Sequence, residues 1–170
     1  LKRTYGCGSY RPYETLVLES AEAVGLDAKY VNALAENWVR LAPWPGVVPT
    51  LTLLARTHQL GVVTNCSEQL GRTAAALVGV PFSVVITSER AGYYKPDPRP
   101  YQLAVHELGL TAERVLFVAG SAYDLFGTSK VGLDTYWHNR VGLPAPQGAP
   151  RPLVESRTLA ELPALATRML

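Results

Sequence analysis

The amino-acid sequence predicts an α/β fold, a Rossmann-like and doubly wound parallel sheet whose strands alternate with helices. From residue 47 onward, short apolar runs alternate with longer amphipathic stretches, which is typical of successive strand-helix units. The runs are rich in β-branched and aliphatic residues, as expected for parallel strands covered on both faces. The composition, with 48% hydrophobic and 18% charged residues in 170, is that of a folded protein large enough to bury a core.

The predicted strands occupy residues 60–64, 83–87, 115–119 and 135–137. The predicted helices of this core occupy residues 47–58, 68–78, 99–108, 123–131 and 158–169. In an open parallel sheet, ligands bind beyond the carboxyl ends of the strands. We therefore looked for chemistry in the residues that follow each strand.

The N-terminal quarter follows a different, purely helical pattern. Residues 1–8 contain two glycines and no period, so they receive no assignment. Helices are predicted over about 12–25 and 28–41, and the second has one apolar face, formed by Val31, Leu34, Ala35, Trp38 and Val39. The segment Pro43–Gly46 breaks the helix and is predicted to be a linker. We expect a small helical piece over 1–42 and the α/β core over 43–170.

Composition also restricts the partners and the compartment. The net charge is +2 and the basic residues are scattered singly, so no nucleic-acid surface is indicated. No apolar run approaches the ~20 residues that span a bilayer. Cys7 and Cys66 have no metal-ligand spacing, and no signal peptide is recognisable, so we expect a reducing cytoplasm. A small molecule is the expected partner, and a homo-oligomer is left open.

Four polar residues follow the predicted strands and are candidates for one site: Thr64, Asn65, Lys95 and Asp124. Lys95 lies 31 residues after Thr64, and Asp124 lies 29 residues after Lys95. Each interval is long enough for one helix and one strand to return the chain to the same sheet edge. A hydroxyl, an amide, an ammonium and a carboxylate would together suit an anionic substrate.

Three motifs, in order, resemble those of the haloacid dehalogenase superfamily of hydrolases. The segment 62–65, Val-Val-Thr-Asn, resembles its second motif, and 95–101, Lys-Pro-Asp-Pro-Arg-Pro-Tyr, resembles its lysine motif. The segment 115–124, Val-Leu-Phe-Val-Ala-Gly-Ser-Ala-Tyr-Asp, resembles its acidic motif. Order and spacing agree with the superfamily from about Tyr10 to the C terminus. The resemblance implies the same α/β fold with a partial helical cap over 1–42.

One carboxylate position favours the 2-haloacid dehalogenase branch of this superfamily. Phosphatases of the superfamily resemble Gly-Asp-Ser-x-x-Asp in the acidic motif, and two acidic residues there help to hold magnesium. Here Gly120 stands at the first acidic position and Asp124 is retained. The metal-free dehalogenases, whose segment resembles Ser-Ser-Asn-Ala-Trp-Asp, are therefore more similar. The resemblance implies no metal and no cofactor, whereas a phosphatase would require magnesium. Ala119 and Ser121 depart from the dehalogenase pattern.

The resemblance also implies a mechanism and residue roles. An aspartate displaces halide from a short 2-haloalkanoic acid, and water hydrolyses the resulting ester. Lys95 would pair with that nucleophile, and Asp124 would orient Lys95 or assist the water. Thr64 would hold the substrate carboxylate, Asn65 would face the halide, Tyr101 would position Lys95, and Ser121 would contribute to substrate binding.

The aspartate and its strand are expected upstream of Tyr10 and do not occur in this sequence, which starts at Leu1 and not at a methionine. We therefore expect a truncated core in which the first strand is missing. In the family fold that strand lies between the strands ending at Thr64 and Ala119, so two interior edges would be left unpaired. Marginal stability or self-association is expected.

Two other functions and several structural interpretations stay open. A phosphatase of the same superfamily, or a non-catalytic interaction module, would fit the departures described above. Thr64 and Asn65 could cap the following helix, Lys95 could be a solvated turn residue, and Asp124 could serve a helix N terminus. Cys66 is expected to be a small buried residue and not a nucleophile.

Overall fold

The computed structural model describes residues 2–168. The helices are α1 (Lys2–Gly6), α2 (Tyr13–Ala23), α3 (Ala28–Glu36), α4 (Val47–Leu54), α5 (Glu68–Leu77), α6 (Ser88–Ala91), α7 (Pro98–Leu108), α8 (Asp124–Val131) and α9 (Leu162–Thr167). The strands are β1 (Gly61–Thr64), β2 (Val84–Thr87), β3 (Leu116–Ala119), β4 (Asp134–His138) and β5 (Val154–Ser156). Single turns of 3₁₀ helix occupy Trp38–Arg40 and Ala112–Arg114. The predicted α/β class is confirmed.

The strands are parallel and form two groups. β1 pairs with β2, with Thr64 opposite Thr87, while β3 pairs with β4, with Ala119 opposite Trp137, and β4 pairs with β5. The chain crosses from β1 to β2 through α5 and from β3 to β4 through α8, while the loop 139–153 connects β4 to β5. Three apolar clusters, around Ile86, around Trp137 and around Tyr136, fill the space between strands and helices.

A cavity separates β1 from β3. Among residues 2–168 no ladder joins the two strands, and the space of about 420 Å³ between them is lined by apolar side chains that include Val62, Val63, Phe117 and Val118. Val118 is 41% exposed although it lies in the middle of a strand. The strands do not close on each other, and α1 is helical, so the segment 2–6 does not fill the gap.

Three short elements were not predicted from the sequence. β5 is an edge strand of three residues that follows a proline-rich loop, where the local pattern indicates irregular structure. α6 is a single turn directly after β2, and α1 is five residues long. The last helix was predicted over 158–169, but α9 begins at Leu162, after a turn, and residue 169 lies outside the described residues.

The helical piece is attached to the core through backbone acceptors and one side-chain pair. The Tyr94 hydroxyl donates to the carbonyl of Arg11 at 2.7 Å, and the indole of Trp38 donates to the carbonyl of Leu70 at 2.9 Å. The Ser67 hydroxyl donates to the carboxylate of Glu14 at 2.5 Å. These contacts join both sides of the linker, and a division at residues 42 and 43 stays a prediction.

The predicted second helix is shorter than expected. α3 ends at Glu36, because Asn37 ends the hydrogen-bond pattern and the chain continues as a 3₁₀ turn. No residue of α3 is buried. Four of the five apolar residues predicted for this face line an open cleft of about 300 Å³ against α2: Val31, Leu34, Ala35 and Trp38. Val39 does not line the cleft and is exposed. The apolar face exists and lies against α2, but among the described residues it is only partly covered.

Candidate active site

Lys95 and Asp124 form an ion pair beyond the carboxyl ends of the strands. Lys95 Nζ lies 3.0 Å from Oδ1 of Asp124, and their side chains are only 16% and 9% exposed. The hydroxyl of Tyr101 donates to the same carboxylate oxygen at 2.6 Å. The Asp124 carboxylate is therefore held between a cation and a phenol that approach it from two different elements.

Tyr101 is packed tightly on every side. Its ring meets the ring of Phe117 edge to face, with 5.1 Å between centroids, and it has no exposed surface. Burial first, and then the charge of Asp124, raise the pKa of Tyr101 well above its usual range. The phenol therefore keeps its proton and remains a hydrogen-bond donor to Asp124. Lys95 Nζ also lies 5.6 Å from the centre of the Phe117 ring.

The side-chain amide of Asn65 both accepts a hydrogen bond from the main chain of Lys95 and donates one to it. Its Oδ1 accepts from the Lys95 amide at 2.7 Å, and its Nδ2 donates to the Lys95 carbonyl at 3.0 Å. The hydroxyl of Ser88, which is completely buried, donates to the same Oδ1 at 2.8 Å. Ser88 was missed in the sequence, although it directly follows β2 and so occupies one of the strand-end positions at which site residues were sought.

A small cavity of about 140 Å³ adjoins this cluster. Tyr5, Asn65, Lys95, Pro96, Ser121, Tyr123 and Asp124 line it. Four of the six predicted site residues, Asn65, Lys95, Ser121 and Asp124, thus surround one space. Tyr101 lies behind it and contacts Asp124.

Thr64 is not among the residues that line this cavity. Its hydroxyl lies 3.3 Å from Sγ of Cys66, and its methyl group is directed toward Gly71. Cys66 is buried, and burial raises the pKa of its thiol, so the thiolate is disfavoured.

Two aromatic side chains form the outer wall of the cavity. The rings of Tyr5 and Tyr123 meet edge to face at 5.3 Å. Burial first, then Tyr123 and Asp124, raise the pKa of Tyr5 to about 12, so this phenol is neutral at physiological pH. Tyr5 belongs to α1, in a segment whose sequence has no period, and no local signal could have placed it here.

The lysine motif has this geometry because its residues start a helix. Asp97 caps α7 by accepting from the amide of Arg99 at 3.0 Å, and Pro98 takes the first helical position, where no amide donor is needed. Tyr101 then falls one turn into α7 and faces α8. Gly127 of α8 allows the close approach, because a Cβ at this position would overlap the Tyr101 ring.

The carboxylates of the site do not form a metal-binding group. Asp124 is already paired with Lys95 and Tyr101, and Gly120 contributes no ligand. Among residues 2–168 no three His, Cys, Asp or Glu side chains are grouped to hold an ion. The donor set therefore does not fit the two-carboxylate magnesium site that a phosphatase would need.

The fold and the site together define a family. A family model described as haloacid dehalogenase-like hydrolase matches residues 3–132, well over half of the sequence. The chain therefore belongs to the haloacid dehalogenase-like hydrolases. None of the helices in the described part of the chain is long and apolar enough to cross a membrane.

Individual relatives include both dehalogenases and a phosphatase. The (S)-2-haloacid dehalogenase of Pseudomonas sp. strain YL is 34% identical over 120 residues, which are 69% of this chain and 52% of that protein. The L-2-haloacid dehalogenase of Xanthobacter autotrophicus, solved with chloropropionic acid covalently bound, superposes with a TM-score of 0.78. That match has 23% identity and covers 95% of this chain and 78% of the other, so it shows the fold alone.

A phosphatase of the same family from Thermococcus onnurineus is also similar. It is 31% identical with a TM-score of 0.69, over 85% of this chain and 67% of that one. The chain spans about half the length of the Pseudomonas relative that it matches. The activity of the whole protein is therefore proposed below.

Proposed function

We propose that this chain supplies most of the active site of a 2-haloacid dehalogenase-type hydrolase, which acts on a short 2-haloalkanoic acid. The observation that carries the proposal is the Lys95–Asp124–Tyr101 cluster beside a small cavity, with Gly120 in place of a second carboxylate. A cavity of about 140 Å³ suits a ligand of few atoms, since a cavity of roughly 150 Å³ accommodates benzene.

The reaction requires an aspartate at the end of a strand beside Lys95, and none of the strands within residues 2–168 places one there. An aspartate oxygen attacks C2 of the substrate, the carbon-halogen bond breaks, and the halide leaves with the bonding electrons. Water then attacks the ester, which releases the 2-hydroxy acid and restores the carboxylate, with one proton passing to solvent. The aspartate is expected on a strand between β1 and β3, where the open cavity reaches both Lys95 and Asp124.

Each site residue has a proposed role in this chemistry. Lys95 pairs with the attacking carboxylate, and Asp124 holds the ammonium of Lys95 and orients the hydrolytic water. Tyr101 acts through Asp124, to which it donates. Ser121 and Asn65 line the cavity, where Ser121 would contact the substrate and Asn65 would face the leaving halide. Thr64 is proposed to bind the substrate carboxylate after its side chain rotates away from Cys66.

The main alternative is a phosphatase acting on a small phosphate ester. The Thermococcus onnurineus relative favours it, while the absence of a carboxylate at Gly120 opposes it. The two functions differ in their need for magnesium, because a phosphatase of this family uses the ion to hold the phosphoryl group. A chelator therefore separates them.

The test adds the expected strand. An apolar strand that ends in aspartate is joined to the N terminus by a flexible linker, and chloride release from 2-chloropropionate is measured in EDTA. We expect chloride release from this protein and none from its matched version with asparagine in place of the aspartate. Phosphate release that needs magnesium would favour the alternative, and no release of either ion would favour an interaction module.

The unmodified chain provides the second arm of the test. Within residues 2–168 no strand lies between β1 and β3, so no aspartate is positioned to attack. We expect no chloride from 2-chloropropionate and no phosphate from a generic ester. Release of either ion would contradict the assignment of the nucleophile to an added strand.

We also propose a small anionic substrate, a cytoplasmic location and self-association. The ammonium of Lys95 at the cavity favours a small anionic substrate. A cytoplasmic location is supported by the two cysteines, which are both free. Self-association into a homo-oligomer is supported by the unpaired edges of β1 and β3, and light scattering of the purified chain measures it.

A further inference from the structure

We infer that Ser88 is a positioning residue for Lys95, and that it acts through the side-chain amide of Asn65. The inference rests on the proposed function only for the catalytic role of Lys95. Ser88 opens α6 at the carboxyl end of β2, has no exposed surface, and places its hydroxyl 2.8 Å from Oδ1 of Asn65.

The hydrogen bonds fix which way the Asn65 amide faces. The Lys95 amide is a donor and the Lys95 carbonyl is an acceptor, so Asn65 must present Oδ1 to the first and Nδ2 to the second. The Ser88 hydroxyl fills the second acceptor site of Oδ1. A rotated amide would therefore lose both bonds to Lys95, and the Ser88 hydroxyl would have to turn its proton from Asn65 toward the more distant carbonyl of Thr64, at 3.4 Å.

Lys95 is consequently held at both ends. Its backbone is held by Asn65, and its ammonium is held by Asp124, which Tyr101 supports. The two supports come from opposite sides of the gap, since Asn65 follows β1 while Asp124 follows β3. Ser88 and Tyr101 occupy equivalent places in this arrangement, each buried and each donating to the group that contacts Lys95.

The consequence is that the Lys95 ammonium is aimed into the gap even though the gap itself is open. Loss of the Ser88 hydroxyl leaves the Lys95 amide as the one donor to Oδ1, so the side chain of Asn65 is held less firmly. The Lys95 backbone is then less restricted, and its ammonium spends less time beside Asp124. An ammonium that spends less time beside Asp124 is more accessible to an acylating reagent in solution.

Acylation of lysines by a water-soluble acetylating ester, read by mass spectrometry, tests this in the purified chain. The rate at Lys95 is divided by the rate at exposed Lys130, which corrects for reagent and pH. We expect Ser88→Ala to raise this ratio roughly two- to ten-fold, the range that loss of one hydrogen bond corresponds to. Thr135→Val is the matched control, since it removes a buried hydroxyl bonded at 2.8 Å to Thr128, in a hydrogen bond that involves neither Asn65 nor Lys95.

Non-additivity separates positioning from a general loss of stability. If Ser88 acts through Asn65, then Ser88→Ala adds nothing to the ratio once Asn65→Ala is present. An unchanged Lys95 ratio in folded Ser88→Ala, an equal rise in Thr135→Val, or full additivity with Asn65→Ala would each overturn the inference. None of these readouts depends on halide release, so failure of the proposed function would be seen separately in the chloride assay.

Discussion

Asp124 accepts from Lys95 and from Tyr101 at the same oxygen, Oδ1, at 3.0 Å and 2.6 Å. A cation and a neutral donor thus converge on one atom that is almost buried. Removing one partner of a buried pair is costly, because it leaves a charge without compensation. The chain relies on this contact to join α7, α8 and the loop after α6.

The first prediction concerns the strength of this ion pair. We expect Lys95→Met to lower the free energy of unfolding by about 3 kcal/mol, since the Asp124 carboxylate remains buried. Arg72→Ala is the control, because the Arg72–Glu68 pair is on the surface, with Arg72 56% exposed, and should cost about 0.5 kcal/mol or less. Urea denaturation measures both. Equal losses in the two variants would contradict the prediction.

The second prediction concerns alkaline pH and Tyr101. An unfolded tyrosine ionises near pH 10.0, whereas burial and Asp124 keep Tyr101 protonated in the folded chain. Above this pH the folded state therefore binds more protons than the unfolded state, and stability falls by about 1.4 kcal/mol per pH unit for this group. The stability that protonated Tyr101 contributes to the folded state is fully present below pH 10 and is lost progressively above it.

Tyr101→Phe tests this pH dependence. The variant should be less stable at neutral pH by about 1 kcal/mol, since a hydrogen bond to Asp124 is lost. Its stability should then decline less steeply than that of the parent chain above pH 10, so that the two curves approach each other. Denaturation at pH 8, 9, 10 and 11 gives the curves. Parallel curves would show that Tyr101 ionises normally.

The third prediction concerns the packing of α8 on α7. Alanine is usually a better helix former than glycine by up to about 1 kcal/mol. At Gly127, however, a Cβ would overlap the Tyr101 ring and lie 2.6 Å from the carbonyl oxygen of Pro96. We expect Gly127→Ala to destabilise the chain by about 1 to 3 kcal/mol. Gly120→Ala, where a Cβ meets nothing within 4 Å, should change stability little, and a stabilised Gly127→Ala would refute the close approach.

The positions of the four core strands could be predicted from the sequence. β1, β2, β3 and β4 all fall within one or two residues of the apolar runs, because strands covered on both faces need nearly continuous apolar sequence. β5 was not predicted because an edge strand of three residues near several prolines has no such apolar run. α3 is shorter than predicted, and its apolar face is only partly covered by α2, so packing does little to stabilise a longer helix.

The position of the site at the strand ends could be predicted from the sequence. The hydrogen bonds between its residues could not. Residues after β1, β2 and β3 were identified by the rule that ligands bind at strand ends, and Asn65, Lys95 and Asp124 do meet there. The hydrogen bonds of Asn65 to the Lys95 main chain depend on loop conformation, which no spacing specifies. Ser88 and Tyr5 belong to the short elements α6 and α1, whose patterns are too brief to carry a period.

The last prediction follows from the cavity between β1 and β3. In the part of the chain that the structure describes, each of these strands has a partner on one side only. The unpaired backbone groups beside Val63 and Phe117 cost on the order of 1 to 3 kcal/mol apiece where water is excluded. Several such groups approach the ~5 to 15 kcal/mol that stabilises an ordinary domain. We therefore expect the purified chain to be marginally stable or to self-associate through these edges, as measured by urea denaturation and light scattering.

Two matched variants identify the surface through which association occurs. Val118→Lys places a charge on the exposed middle of β3, where lysine opposes edge pairing. Leu34→Glu places a charge on the partly covered face of α3, which is 45% exposed at this residue. If the edges of the gap associate, Val118→Lys lowers the oligomeric fraction and Leu34→Glu does not. The reverse result would assign association to the helical piece, because only the charge on that face would then disrupt it. A monomer with one cooperative transition and ordinary stability would show that the open edges cost far less than their unpaired groups imply.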